Sequence, residues 1–275
     1  MTTITFLLYL TAALAYLWYF AGRSRAVGLL ATSALGAAIL AHTFAIGMLT
    51  MELGHPPLVG TAGAVFAFVW LLAVAYLYVE VSSQEHAMGV FIAPLLVALQ
   101  AIPTFGAEPV ERPPVLDSPF FAVHVSAMLV AYAGFAIAAV VSITYLLLFK
   151  EIKAKHLGLF YARLPSLQKL DHMNALAVGA GWIFLTIGVV VGGVWLVTAH
   201  DALPQDPRVR AMASFDPKIL IACVSWVIYT FQLVARRTLG WSGRRAAWLS
   251  AAGFALVLVN FLPIGFYLTE GHRFD

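Results

Sequence analysis

The chain has 275 residues, of which 62% are hydrophobic and only 11% charged, with a formal net charge of +3. A soluble domain of this length carries roughly a quarter charged residues to face water, so a water-soluble globule is excluded. The net charge says little about partners, because a membrane decides where each charge sits, and no nucleic-acid-binding signature is present.

The charges gather in short clusters between apolar runs at about 3–21, 26–50, 57–80, 87–103, 119–149, 173–199, 217–235 and 246–268. About 20 helical residues cross a hydrocarbon core of about 30 Å, and a helix satisfies its own backbone hydrogen bonds. The expected fold class is therefore all-α: an integral membrane bundle of about eight transmembrane helices, read as a single transmembrane domain over 1–275. The start, Met1-Thr2-Thr3-Ile4, lacks the basic flank of a secretory signal, so the first run is read as a retained helix.

Eight spans place both termini on one side. One side receives Arg23, Arg25, Lys150, Lys153, Lys155, Arg163, Lys169, Arg236, Arg237, Arg244 and Arg245, eleven cations; the other receives Arg112, Arg208, Arg210, Lys218 and Arg273, five. The positive-inside rule makes the richer side cytoplasmic and both termini external, in a bacterial inner membrane.

Local chemistry supports these boundaries. Asp117-Ser118-Pro119 sets a capping residue before a proline at the first helical position, and Asp216-Pro217 repeats the pattern. Gly188 and Gly192, followed by Gly193, form a small-xxx-small pair that lets another helix approach. The 157–167 segment alternates apolar and polar residues and breaks at Pro165, as an interfacial segment does; Pro263 is expected to kink the last span.

No acidic or basic residue is expected deep in a span, which argues against a proton-coupled pump. A small-solute transporter also fits poorly, because mid-membrane polar residues and repeat symmetry are not evident. Histidines remain. His55, His124, His200 and His272 fall near the outer surface, His86, His156 and His172 near the cytoplasmic one, and His42 in the outer half of the second span. His124 and His272 can lie at one membrane level. Two facing imidazoles make a six-coordinate haem site, while an ordinary interfacial histidine is the commoner role for either alone. Cys223 is the only cysteine, which excludes an intramolecular disulfide and a Cys-x-x-Cys-His haem attachment site.

Several stretches add a resemblance. They are His124 with Ala131-Tyr132-Ala133-Gly134-Phe135; Leu164-Pro165-Ser166-Leu167-Gln168-Lys169-Leu170-Asp171; Gly192-Gly193-Val194-Trp195; Asp216-Pro217-Lys218; Trp226-Val227-Ile228-Tyr229; Gly240-Trp241-Ser242-Gly243-Arg244-Arg245; and Gly271-His272-Arg273-Phe274. In this order, over roughly 120–274, the chain resembles the cytochrome c assembly protein family, the haem-handling membrane proteins of system II and their HemX-like relatives. The first hundred residues resemble it loosely, through His42 and Gly54-His55-Pro56-Pro57.

The resemblance implies a b-type, non-covalent haem at the outer face with His124 and His272 as axial ligands. The loop at 200–218, with Asp216, would cover the group, and Arg208, Arg210 or Lys218 would meet its propionates. His42 becomes a candidate ligand within the bundle. The implied partners are the lipid bilayer, other membrane subunits and an apocytochrome c carrying Cys-x-x-Cys-His. Two departures stand out. The family's three loop tryptophans are Val209, Ala213 and Phe215 here, and a histidine of the haem-exporting members is Val234. These losses leave open an accessory or structural subunit that kept the fold without haem handling. Trp18, Trp70, Trp182, Trp195 and Trp226 read as belt or packing residues.

Overall fold

In the computed structural model, the described residues are 1–106, 116–155, 158–202, 205, 209 and 217–259. They form α1 (Thr2–Gly22), α2 (Arg25–Leu53), α3 (Gly60–Ser83), α4 (Gly89–Phe105), α5 (Pro119–Lys153), α6 (Leu159–Arg163), α7 (Leu167–Ala202), α8 (Pro217–Thr238) and α9 (Arg244–Val259), and no strand occurs among them. Every expected apolar run holds a helix. Six of them, α1, α2, α3, α5, α7 and α8, are long and apolar enough to cross a membrane. The protein is an integral membrane helix bundle. The helix α4 has 17 residues, about 25 Å at 1.5 Å per residue, short of a full crossing; the end of α9 and Pro263 lie outside the described residues.

The helices run alternately up and down, which gives the bundle a basic end and an opposite end. At the basic end the turns close on left-handed residues. Arg23 (φ 53°) donates its N–H to the Tyr19 carbonyl, and Gln84 (φ 54°) caps α3 on Glu80. At the start of α5, Pro119 stands at the first helical position as expected, but the Ser118 hydroxyl makes no capping bond. The interfacial segment is the short α6; after Pro165 the chain enters α7 at Leu167, six residues earlier than hydropathy suggested, because Asp171 is paired at the membrane edge.

α5 is the most enclosed of the long helices and packs along α7. A Cβ on Gly181 would lie 2.6 Å from the Phe135 ring, and one on Gly134 would lie 3.0 Å from the Ala177 carbonyl. Only hydrogen at these positions lets the backbones meet. Polar residues then fix the register. Asn174 Nδ2 donates to Ser142 (2.8 Å), Ser250 (2.9 Å) and the Ala138 carbonyl (3.2 Å), and Gln232 Nε2 donates to Ser250 (2.8 Å) and Asn174 Oδ1 (3.3 Å). This joins α5, α7, α8 and α9. Nearer the middle of α7 and α8 the bonds are reciprocal: Trp182 donates to Thr230 (2.7 Å), Trp226 to Thr186 (2.9 Å), and each threonine hydroxyl donates to the preceding turn of its own helix.

Glu80, in the last turn of α3, is 1% exposed. Its carboxylate accepts from Tyr16 (2.7 Å), from Thr32 and from His86 Nδ1 (2.9 Å). Burying a carboxylate is tolerable only with such donors. The chain supplies them from α1, α2 and the α3–α4 turn, a convergence that linear hydropathy does not contain.

Candidate functional site

The expected site residues separate into two surroundings. His124 stands on α5, about one and a half turns past Pro119, at the opposite end of the bundle. Its Nδ1–H donates to the Gly188 carbonyl of α7 at 2.8 Å. The ring rests where a side chain at 192 would otherwise be, since a Cβ on Gly192 would lie 2.5 Å from Nδ1 and 2.7 Å from Cε1. The pair at 188 and 192 therefore does admit another helix, and what it admits beside Met128 is this imidazole. Trp195 flanks the ring at 6.3 Å between centroids and 24° between planes. Beyond it, Trp195, Phe121, Val59, Leu116, Ala199 and Val209 form a small apolar cluster apart from the main core, with Phe121 and Trp195 5.3 Å apart.

This geometry has a chemical consequence. A neutral imidazole that donates through Nδ1 carries its lone pair on Nε2, the nitrogen used for metal ligation. A backbone carbonyl behind the other nitrogen is the usual support of a ligating histidine, fixing tautomer and ring plane. The donor, the aromatic flank and the apolar cluster fit a haem edge. Trp195, which composition assigned to packing, belongs to this site; its place in Gly192-Gly193-Val194-Trp195, one turn past the glycine seat, was the available signal.

His42 is elsewhere. It is fully buried on α2, shares a 3.0 Å hydrogen bond through Nδ1 with the Tyr9 hydroxyl, and packs on Phe66 at 4.2 Å. Its Nε2 is buried and has no hydrogen-bond partner among the described residues, so a ligating atom is present. The enclosing rings mean that a macrocycle could reach it only if α1, α2 and α3 part. Val234 is half exposed and lines a groove of about 220 Å³ with Gly179, Trp182, Ile183, Thr230, Leu233 and Arg237. The main neighbours of α2 are α1 and α3, and those of α8 are α7 and α9.

Three other histidines have local roles, and His156 lies outside the described residues. His55 Nδ1 donates to the Pro56 carbonyl and His200 Nδ1 to the Leu196 carbonyl, and His86 serves Glu80. His272, Asp216, Arg208 and Arg210, the side chain of Lys218, and Ala213 and Phe215 lie outside the described residues.

The family model described as cytochrome C assembly protein matches residues 1–271. The chain belongs to that family. The match takes in the N-terminal helices, where motifs alone were sparse. Three similar relatives carry the name cytochrome c biogenesis protein CcsA. That of Guillardia theta is 28% identical over 251 residues, covering 83% of this chain and 80% of the relative. That of Gloeobacter violaceus is 24% identical over 315 residues, covering 94% and 90%. That of Chlamydomonas reinhardtii is 30% identical over 223 residues, covering 77% and 58%.

Proposed function

We propose that this membrane protein binds haem at the end of the bundle opposite its basic end and handles it for cytochrome c assembly. The observation that carries the reading is the seat of His124: an imidazole held by the Gly188 carbonyl, resting on Gly192 and flanked by Trp195. His124 and His272 are the residues that would hold the haem iron. Haem so held supplies a redox-active iron and a flat, anionic macrocycle that a partner can take up.

The chain's own residues bind and orient. Gly188 fixes the tautomer of His124, and Trp195 and Phe121 would give flat apolar surface against the macrocycle edge. Arg208, Arg210 and Lys218 would meet the propionates, with Asp216 beside them. His42 is a reserve ligand within the bundle. The helices act as a single transmembrane domain with the basic end in the cytoplasm and both termini outside, and the haem is b-type and non-covalent, as in a HemX-like member. Thioether attachment belongs to a separate apocytochrome carrying Cys-x-x-Cys-His.

A reduced-minus-oxidised visible spectrum of the detergent-purified chain tests this. Sharp low-spin bands that broaden in His124→Ala and in His272→Ala are expected; a folded chain that stays colourless after haem supplementation defeats the reading. The second reading, an accessory subunit, is favoured by Val209, which fills an apolar cluster at a position that is tryptophan in the haem-handling pattern. It expects copurification with a larger complex regardless of haem.

A further inference from the structure

At the basic end the two arginines that open α9 take part in no ion pair among the described residues. The acids of this end are Glu80, Glu85, Glu151 and Asp171, four against eleven Lys and Arg, and each is engaged. Glu80 accepts from Tyr16, Thr32 and His86. Glu85 faces Lys169 at 3.3 Å and Arg23 at 3.8 Å. Glu151 accepts from the backbone N–H of Tyr161 at 2.8 Å and of Phe160 at 3.4 Å. Asp171 takes Arg236 at both oxygens, at 3.0 and 2.6 Å, and the Gly243 N–H at 2.7 Å.

Arg244 and Arg245 therefore have no carboxylate partner among the described residues. Both are exposed. They are held by aromatic faces instead: the Arg244 guanidinium lies 5.6 Å from the Phe149 ring centre and that of Arg245 5.2 Å from the Trp241 ring centre. An aromatic face orients a guanidinium without neutralising it. Between them opens a cleft of about 470 Å³ lined by Gly240, Ser242, Arg244, Arg245 and Trp248, within the range of small-ligand sites, about 300–1,000 Å³.

The cleft is amphipathic in the direction a lipid needs. Two uncompensated guanidinium forks and the Ser242 hydroxyl suit a phosphodiester, which accepts bidentate N–H pairs. Trp248 is 58% exposed on the first turns of α9, and Leu239 is 60% exposed beside the turn. An indole with one apolar and one polar edge belongs at the headgroup level. Phe231 of α8 lies 5.5 Å from the Trp241 ring, and Val227 and Val234, one turn to either side of it on α8, are exposed as well, apolar enough for acyl chains. Basic pockets at the ends of transmembrane helices hold anionic headgroups for these reasons.

We infer that the cleft formed by Gly240, Ser242, Arg244, Arg245 and Trp248 is a binding site for an anionic phospholipid, its phosphodiester held between the two arginines. The site is distinct from the His124 surroundings, at the other end of the bundle, and does not depend on haem.

Native mass spectrometry of the full chain, released from detergent with phosphatidylglycerol or phosphatidylcholine, tests the assignment. The wild type should retain phosphatidylglycerol in clear preference. Arg244→Gln/Arg245→Gln should weaken that retention by roughly tenfold or more, as two interfacial arginines imply. Lys150→Gln/Lys153→Gln, which removes equal charge from the same end outside the cleft, should leave the preference intact. Equal loss in both double variants, unchanged retention in the arginine variant, or displacement of the lipid by inorganic phosphate would each overturn the site. Should the arginine double variant not fold, nanodiscs decide: brominated phosphatidylglycerol should quench the Trp248 emission, taken as wild type minus Trp248→Phe, more than brominated phosphatidylcholine does, and equal quenching overturns the proposal.

Discussion

The Nδ1 nitrogen of His124 lies 2.8 Å from the carbonyl oxygen of Gly188, a residue 64 positions further along the chain. That contact exists because α5 and α7 touch through glycines, and it makes the ring's orientation a property of two helices. Substitution of the seat, with His124 left in place, separates orientation from ligation.

Gly192→Ala places a methyl group 2.5 Å from the imidazole nitrogen, whereas a methyl at Gly193 meets nothing within 4 Å. The expected result is roughly tenfold weaker haem retention in Gly192→Ala, about the loss of one hydrogen bond of 1.4 kcal/mol, and none in Gly193→Ala. Haem titration in detergent, with helical circular dichroism alongside, makes the comparison. Equal behaviour of the two variants would remove the seat from the site.

Trp195 offers a second separation. Its contacts with Phe121 and His124 are aromatic, and such pairs contribute about 0.5–1.5 kcal/mol beyond area burial. Trp195→Leu should broaden the low-spin bands and lower the thermal midpoint by a few degrees, while Trp195→Phe should retain most of both. A spectrum of Trp195→Leu identical to the wild type would return this residue to plain packing.

The six membrane-length helices were legible because a membrane demands about 20 apolar residues per crossing, a constraint written along the chain. The glycine pair of α7 was legible as a place of close approach for the same reason: small residues have local meaning. What occupies the gap was not. His124 and Trp195 meet only after α5 and α7 align, and neither hydropathy nor spacing encodes that register. The surroundings of Glu80 were not legible either: its three donors arrive from Tyr16, Thr32 and His86, residues 64, 48 and 6 positions away.

Glu80→Gln keeps the shape and removes an acceptor-only group that now serves three donors. The amide must turn its NH₂ toward at least one of them, leaving a buried donor facing a donor, at a cost of about 1–3 kcal/mol. A lowered thermal midpoint in detergent with unchanged haem spectra is expected. Unchanged stability would mean that water reaches the carboxylate.

Asn174 and Gln232 form the corresponding node of the C-terminal helices. Single interhelical hydrogen bonds in membranes average about 0.6 kcal/mol, but Asn174 makes several and removal orphans their partners. Asn174→Leu should therefore cost about 2 kcal/mol, and the double variant with Gln232→Leu should cost less than the sum of the two. Calorimetric or fluorimetric melting in detergent resolves the coupling; strict additivity would show that the node is only a set of independent pairs.

The paired tryptophans of α7 and α8 each grip a threonine of the other helix, and each threonine is anchored to its own backbone. Sliding either helix past the other by a single residue would break both grips together, so the two behave as one beam. Gly188 and Gly192 are rungs of that beam. A tilt of α8 would therefore carry α7 with it, and with α7 the Gly188 carbonyl that holds the ring of His124.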